Sequence, residues 1–352
     1  MATIRDVARD SGVSIATVSR VFNHSPLVSG GTRDRVLAAS ERLGYWPNGL
    51  ARSLITNRTH AVGVLLPELH GEFYSELIHG IDIAASAHGQ HLLVSRATST
   101  SEELAAALRS MRGRVDALIV MAPDPSASAA LKACAGQVPA VLLNTADAEP
   151  AWDTLTVANF DGAYEVVGHL IGLGHRDIAT ITGPTYNVDA QQRLAGYRAA
   201  LKGAGLHSGP DLEFAGDFSE ASGYAATARV LARTPRPTAL FVANDHMAIG
   251  VFGALEDAGL RVPEDLAIVS FDDIPMARYL TPPLTTVHVD LSRMGQRAME
   301  MLLDIRHEGP LPAGRHEVMP VTLVVRGSCG AHALTNGAAA WPRHRAAPAP
   351  RA

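Results

Sequence analysis

The sequence predicts two regions of different fold class: a small all-α unit at the N-terminus and a large α/β body with parallel sheets. Apolar residues recur at helical spacing through the first 43 residues. From residue 60 onward, short apolar runs alternate with amphipathic segments, as expected for strand–helix units. A chain of 352 residues holds too many such units for one sheet, so we expect the body to form two lobes.

The first helix is predicted to start after Thr3, which is an N-cap residue with an acidic partner, Asp6, three positions on. Gly12 follows this helix and accepts a positive φ at little cost, so it supplies a turn. One apolar face is formed by Ile4, Val7 and Ala8.

Two further helices follow this turn. Ser14 is a second N-cap, and Ser29 caps a third helix from about residue 30 to residue 43, which Gly44 ends. The apolar stripe of the second helix is Val18, Val21 and Phe22. The residues expected to point inward from the third helix are Val36, Leu37 and Leu43.

A helix, a glycine turn and a second helix form the unit that places its second helix in the DNA major groove. Arg20 is suited to the O6 and N7 edge of guanine, and Thr17 and Ser19 to phosphates. Ile15 and Ala16 offer only apolar contact, for instance to a thymine methyl group. The alternative is a plain three-helix bundle with solvent-facing arginines, in which Ile15 is partly core.

Charge is distributed unevenly along the chain. Residues 1–58 hold eight arginines and four acids, a net charge of +4, whereas the whole chain carries −5. The remainder therefore carries −9. A basic N-terminal region on an acidic body favours contact with a polyanion through the N-terminal region alone.

The N-terminal motifs carry a resemblance. The run TIRDVARDSGVSIATVSRVFN, followed by VSGGTRDRV, GYWPN and ARSL, closely resembles the headpiece of the LacI family of bacterial transcription regulators across residues 2–58. The resemblance implies that Thr3, Ser14 and Asn23 join the second helix in contacting DNA.

Residues 46–59 are predicted to form a hinge. Pro47 suits a first helical turn, and a helix of only two turns is marginal alone in water. The resemblance implies a hinge helix in the minor groove, with Leu54 as a wedge between base pairs and Asn48 and Arg52 as polar contacts. The alternative is that Leu54 is an ordinary linker residue that packs on the next domain.

The body also resembles the LacI family over residues 60–328, on pieces such as GHRDIATITGP, QRLAGYRAAL, RPTALFVANDHMAIG and DLAIVSFDD. This implies a two-lobed fold like periplasmic sugar-binding proteins (type 1). The chain would cross between lobes near 158–161, 288–291 and 317–321. The domains are then a helix-turn-helix headpiece (1–45), the hinge (46–59) and the body (60–330). Its lobes are 60–158 plus 291–317 and 159–290 plus 318–330.

An effector pocket is expected where the strands end. By resemblance, Arg193 holds effector hydroxyls or a carboxylate, Asp272 and Asn244 bind hydroxyls, and Phe218 packs on the ligand face. Phe73 and Tyr74 begin the first helix of the body and could close the cleft. The remaining candidates, on neighbouring loops, are Asn144, Asn187 and Asp189.

Each pocket assignment has an alternative. Arg193 and Asp272 could form an ion pair across the lobes, and Phe218 could be core. Asp245 and Asp273 could cap the next helix or turn. This sequence departs from the family pattern at two positions: Val289 stands where many relatives have glutamine, and Asn144 where several have aspartate. The effector of a known relative therefore cannot be assigned directly to this chain.

The sequence lacks the GxxxxGK[ST], HExxH, GxSxG and paired CxxC motifs, so we expect no enzyme activity and no cofactor. His88 and His91 flank a turn and are not expected to bind a metal. Two isolated cysteines, no secretory signal and no run of about 18 apolar residues predict a cytoplasmic protein.

The predicted function is a DNA-binding transcriptional repressor controlled by a small effector, a sugar or its derivative. Paired headpieces that read a near-palindromic double-stranded operator need twofold symmetry, so a homodimer is expected. The tail from Ala331 is rich in Ala, Pro and Arg, has no leucine heptad and is expected to be disordered. The alternative function is the solute-binding component of a sugar transport system.

Overall fold

A computed structural model describes residues 2–22, 25–46, 58–97, 101–134, 138–145, 152–308 and 314–331. The chain divides between His60 and Ala61 into two compact units, which are described separately. The predicted hinge (46–59), apart from its ends, and the C-terminal tail after Ala331 lie outside the described residues.

The first unit contains three helices: α1 (Ile4–Ser11), α2 (Ile15–Phe22) and α3 (Gly30–Leu43). The predicted capping box at α1 is confirmed, since the Asp6 amide donates to Thr3 Oγ1 (3.4 Å) and the Thr3 amide donates to Asp6 Oδ2 (2.9 Å). Gly12 ends α1 with φ +69°. Ser14 caps α2 by accepting a hydrogen bond from the Thr17 amide (3.1 Å).

The core of this unit is small, and part of the prediction for α3 is wrong. Val36 is buried, but Leu37 and Leu43 are 45% and 37% exposed. The inward face of α3 is formed by Val36, Ala39 and Ser40, which are three and four residues apart. Because Leu37 directly follows Val36, the rotation of the helix points its side chain away from this face. Ser29 occupies the N-cap position but makes no capping hydrogen bond to the helix backbone.

The body contains two six-stranded sheets. The first has the strand order β11-β5-β4-β3-β1-β2, and its described pairs are all parallel. Its strands are β1 (Ala61–Leu66), β2 (His91–Arg96), β3 (Ala117–Met121), β4 (Ala140–Leu143), β5 (Asp153–Val157) and β11 (His316–Met319). Its helices are α4 (Glu72–Ala87), α5 (Ser101–Met111), α6 (Ser128–Cys134) and α11 (Leu291–Glu308).

The second sheet repeats the same pattern with the order β12-β10-β9-β8-β6-β7. Its strands are β6 (Ile178–Thr182), β7 (Glu213–Ala215), β8 (Ala239–Val242), β9 (Ala267–Asp272), β10 (Thr285–His288) and β12 (Thr322–Val324). Its helices are α7 (Asn159–Gly172), α8 (Val188–Gly203), α9 (Glu220–Leu231) and α10 (Asp245–Asp257). In both sheets the strand order reverses at the first strand, β1 or β6, which is where ligands bind in open α/β sheets.

The chain passes between the lobes three times: between β5 and α7, between β10 and α11, and between β11 and β12. The predicted lobe boundary at 317 is wrong by two residues, because β11 continues in the first sheet to Met319. β12 pairs with β10 antiparallel, unlike the other described pairs. Only two residues separate β11 from β12, although the two strands belong to different sheets.

Apolar residues fill the space between sheets and helices. The strands β1, β3, β8 and β9 are almost wholly buried, as expected for parallel strands covered on both faces. The helices α4 and α11 pack closely, and a methyl group at Gly80 would lie 2.0 Å from the Ser292 carbonyl oxygen. Within the described residues, no helix combines the length and the hydropathy needed to cross a membrane.

Candidate functional site

The second helix of the N-terminal unit exposes most of its predicted contact residues. Ile15 is 45% exposed and is not among the residues that pack on the headpiece core, which goes against the alternative that it is partly core. Ser14, Ala16 and Arg20 are also exposed, whereas Thr17 and Ser19 are half-buried. Within the described part of the chain, Arg20 has no ion-pair partner. Asn23, Asn48, Arg52 and Leu54 lie outside the described residues.

Two candidate polar contacts in this unit already have hydrogen bonds. Thr3 Oγ1 donates to Asp6 Oδ2 (2.7 Å) as part of the capping box. The hydroxyls of Ser14 and Thr17 are 2.9 Å apart. A phosphate accepts hydrogen bonds, and Thr3 already donates its hydroxyl proton to Asp6. In the pair of Ser14 and Thr17, one hydroxyl donates to the other, so one proton of the pair remains for a phosphate.

The body contains a cavity of about 430 Å³ between the carboxyl ends of the two sheets. This volume is within the range of small-molecule sites. Eight of the nine predicted effector residues line it: Phe73, Tyr74, Asn187, Asp189, Arg193, Phe218, Asn244 and Asp272. The lining residues that the sequence did not indicate include Glu68, His70, Arg96, Tyr186, Asp217, Ser219, Glu220 and His246.

Arg193 is the centre of the polar part of the cavity and is almost fully buried. Its Nη1 donates to the Ala243 carbonyl oxygen (2.6 Å), and its Nε to Asn159 Oδ1 (2.8 Å). Its Nη2 lies 3.0 Å from Asp272 Oδ1. The guanidinium carbon lies 3.9 Å from the centre of the Phe271 ring. These contacts hold the guanidinium in one orientation.

The ion pair of Arg193 and Asp272 lies within one lobe, so the idea that it crosses between the lobes is wrong. Both residues lie at the carboxyl edge of the second sheet, on α8 and at the end of β9. Despite the 3.0 Å approach of Nη2, Oδ1 of Asp272 receives no well-aligned hydrogen bond. This oxygen is therefore paired with Arg193 by charge and can still accept a hydrogen bond.

Asp189 contributes a second carboxylate. Burial raises the pKa of Asp189 to about 6, while the Arg193 charge opposes this shift. Its Oδ1 accepts from Asn159 Nδ2 (2.8 Å). Asn144, on the other lobe, also hydrogen-bonds to Asp189 but does not line the cavity, and its Oδ1 is buried without a partner.

Asn187 and Asn244 line the cavity but also serve as helix caps. Asn187 Oδ1 accepts from the Ala190 amide at the start of α8, and Asn244 Oδ1 from the Met247 amide in α10. Asn244 Nδ2 donates to the Phe218 carbonyl oxygen (3.1 Å). Each of these two side chains therefore has only part of its hydrogen-bonding capacity left for a ligand.

Aromatic rings from both lobes face the cavity. Phe73 and Tyr74 contact each other edge to face at 5.1 Å, and burial raises the pKa of Tyr74. Phe218 is half-buried with φ +74°, and its ring lies against Gly183, where a Cβ would come within 2.4 Å. Phe218 thus packs partly as core and partly as cavity wall.

Backbone strain is concentrated near the cavity. Among the described residues, the non-glycine positions with positive φ are His60, Asn144, Phe218, Asp272 and Asp273. Phe218 and Asp272 line the cavity. Asp273 follows Asp272 in the chain, and Asn144 contacts Asp189, which lines the cavity. Such conformations cost energy and tend to occur at functional sites.

Three residues discussed from the sequence do not line the cavity. Asp245 is fully buried and accepts from Thr286 Oγ1 (2.7 Å) and from the Ile274 amide (2.9 Å). Asp273 accepts from Arg326 Nη2 (2.6 Å). Val289 is buried, and its amide donates to the Asp272 carbonyl oxygen (3.3 Å).

The lobes touch each other around the cavity. The Met276 amide of the second lobe donates to Glu72 Oε2 of the first (2.9 Å), and the Val188 amide donates to the Pro123 carbonyl oxygen (3.0 Å). Among the described residues, no group of three His, Cys, Asp or Glu side chains is arranged to bind a metal.

A helix-turn-helix unit and a two-lobed body with a polar, aromatic-lined cleft together define a DNA-binding regulator with a ligand-binding domain. Residues 3–48 match the model of the bacterial regulatory proteins of the lacI family, and residues 167–329 match the periplasmic binding protein-like domain. The chain belongs to the lacI family.

Known proteins are similar to this chain along nearly its whole length. The ribose operon repressor of Escherichia coli K12 is 37% identical over 330 residues, covering 93% of this chain and 100% of the relative. A crystal structure of the lac repressor dimer bound to operator and an anti-inducer is 35% identical, with a TM-score of 0.84 and coverage of 93% and 99%. A LacI family regulator from Enterococcus faecium with bound ribose is 29% identical, with a TM-score of 0.68 and coverage of 76% and 98%. The chain is a DNA-binding transcriptional regulator.

Proposed function

We propose that this regulator is a cytoplasmic repressor that binds a near-palindromic operator as a homodimer and responds to a small neutral carbohydrate in the cleft. It needs no cofactor and catalyses no reaction. The named relatives support the repressor role, and the DNA-binding headpiece argues against a transport component.

In this proposal the headpiece reads DNA through α2. Arg20 contacts guanine, because it is exposed and has no described ion-pair partner that would compete. The remaining proposed contacts are Thr3, Ser14, Ile15, Ala16, Thr17, Ser19, Asn23, Asn48, Arg52 and Leu54.

The observation that carries the effector proposal is the set of acceptors in the cleft. Asp272 Oδ1 is buried next to Arg193 without a well-aligned hydrogen bond, and Asp189 is a second carboxylate at the same wall. Buried acceptors are costly when unpaired, so a ligand that brings hydroxyl donors satisfies them. Arg193 donates from Nε and Nη1 to protein oxygens and forms an ion pair with Asp272, so its positive charge is already balanced within the protein.

Aromatic rings complete the proposed sugar site. Phe218 offers a ring from the second lobe, and Phe73 and Tyr74 from the first, and apolar sugar faces pack on such rings. The further proposed contacts are Asn187 and Asn244; Asn144 does not line the cavity and is not among them. The ribose named for two relatives makes D-ribose the first compound to test.

The test measures operator binding by fluorescence anisotropy, with a labelled fragment of the chain's own promoter region and a scrambled fragment of equal length. We expect a preferred site at physiological salt, and a change in its Kd when a sugar from a panel of D-ribose, D-glucose and cellobiose is added. Equal, salt-sensitive affinity for both fragments would disprove the regulator's operator specificity. A preferred site that no sugar affects would disprove only the carbohydrate effector.

A further inference from the structure

Asn159 is a buried residue next to the cavity that the sequence did not single out. It is 1% exposed and is the first residue of α7, directly after the chain leaves the first lobe. Its Nδ2 donates to Asp189 Oδ1 (2.8 Å) and to the Val157 carbonyl oxygen (3.3 Å). Its Oδ1 accepts from Arg193 Nε (2.8 Å).

The orientation of this amide follows from its partners. Arg193 Nε can only donate, and a carboxylate oxygen of Asp189 can only accept while ionised. The amide must therefore turn its oxygen to the arginine and its nitrogen to the acid. The side chain separates the two groups and bonds to both.

The backbone at Asn159 belongs to the connection between the lobes. The amide of Ala158 donates to the Met319 carbonyl oxygen (3.1 Å), which joins the first and third passages of the chain. Val289, in the second passage, donates to the Asp272 carbonyl oxygen (3.3 Å). The polar groups of the cavity are thus bonded to residues whose dihedral angles must change if the lobes move.

We propose that Asn159 is a positioning residue of the effector site, which holds Arg193 and Asp189 in their binding orientation and ties both to the first passage between the lobes. This inference rests on the proposed carbohydrate effector. Without the amide, Arg193 Nε loses its acceptor and Asp189 loses one of its two donors and keeps Asn144, so Arg193 and Asp189 can turn toward each other. The acceptors that face the ligand would then be satisfied inside the protein.

The first experiment compares the wild type with Asn159→Ala by isothermal titration calorimetry, using whichever of D-ribose, D-glucose or cellobiose raises the wild-type melting temperature most. We expect affinity to fall about ten- to a hundred-fold, because two hydrogen bonds to charged groups are lost. Thr227→Val is the matched control. Thr227 is fully buried in the same lobe, does not line the cavity and donates one hydrogen bond to the Gly223 carbonyl oxygen, so its loss should leave affinity within about two-fold.

The second variant separates positioning from packing. Asn159→Asp keeps an acceptor for Arg193 but places a carboxylate against Asp189, with Arg193 and Asp272 as the other charged groups facing the site. Two adjacent carboxylates cannot both ionise at low cost, so they take up a shared proton as the pH falls. We expect affinity of this variant relative to the wild type to be lowest at pH 8 and to recover several-fold at pH 5.5.

The outcomes distinguish the two proposals. If no sugar of the panel affects the wild type, the carbohydrate effector fails, and the positioning role falls with it. If the wild type binds a sugar and Asn159→Ala binds it equally well, the positioning role alone fails. A constant ratio between Asn159→Asp and wild type across pH also overturns it. Circular dichroism melting verifies that each variant folds; if Asn159→Ala does not fold, the pH profile of Asn159→Asp decides.

Discussion

The headpiece and the body use charged residues in opposite ways. In the headpiece, Arg9, Arg20 and Arg42 are exposed. Its buried polar residues Ser11 and Ser40 form their described hydrogen bonds with partners only four or five residues away in the chain. In the body, Arg193 and Asp272 are buried and come from elements about 80 residues apart.

This difference reflects the two ligands. A polyanion is attracted by charge that remains in solvent, and the attraction decreases with salt. A small ligand in a cleft must replace water at every polar group, so the groups that meet it are oriented beforehand by protein contacts. We therefore expect variants in the two regions to have separable effects.

The largest effect is expected for Arg193→Ala, which leaves Asp272 buried without its cation. Breaking a buried ion pair costs about 3–5 kcal/mol, so the free energy of unfolding should fall by that amount. The effector response should be lost while the headpiece keeps its affinity for operator. Chemical denaturation and anisotropy titrations measure the two quantities.

The double variant Arg193→Met with Asp272→Asn is the control for this prediction. It removes both charges, so it should recover most of the stability without recovering the effector response. A full response in either variant would show that the cavity is not the effector site.

The next effect concerns pH. Burial and the neighbouring Asp272 charge raise the pKa of Asp245 to about 8, from an ordinary value of 3.8. Between these values the folded state holds a proton that the unfolded state has lost. The contribution of Asp245 to the free energy of unfolding is therefore greatest below about pH 4. It declines as the pH rises toward 8, by at most about 1.4 kcal/mol per pH unit.

Asp245→Asn should flatten this decline. The amide can accept from the Ile274 amide and donate to the Thr286 hydroxyl. Thermal unfolding at pH 6.5 and pH 8 measures the slope, since Asp189 titrates mainly below this window. An unchanged slope in the variant would mean that Asp245 is ionised throughout.

Arg20→Ala tests the headpiece. Loss of a bidentate guanine contact should weaken specific operator binding by about 1–3 kcal/mol and leave effector affinity unchanged. Arg42→Ala removes the same charge from α3, where Arg42 pairs with Asp10 (2.6 Å), and should weaken all DNA alike and only slightly. If Arg20→Ala reduced binding to scrambled DNA equally, its base-reading role would be refuted.

The smallest effect is expected for Thr3→Ala, which removes the N-cap of α1. Loss of such a cap costs about 1 kcal/mol. Calorimetry should show a lower headpiece melting temperature and an unchanged body transition. Thr3→Ser keeps the hydroxyl and should behave as the wild type; a loss as large as that of Thr3→Ala would assign the effect to the methyl group instead.

Local signals predicted the headpiece well. The capping box of Thr3 and Asp6, the turn at Gly12 and the apolar stripe of α2 depend on residues three or four apart. The prediction that Leu37 and Leu43 point inward was wrong because the apolar pattern of one helix does not indicate which of two adjacent apolar residues faces the core. The packing of α3 against α1 and α2 decides that.

The sequence by itself determined the helical headpiece and the succession of strands and helices along the chain, because these follow from short-range periodicity. The resemblance to the LacI family indicated eight of the residues that line the cavity. Only the tertiary structure decided that Arg193 and Asp272 pair within one lobe, that Asn159 bonds to both Arg193 and Asp189, and that Asp245 is buried behind the cavity. Those contacts join residues that are distant in the chain, and their geometry depends on how the sheets and helices pack in three dimensions.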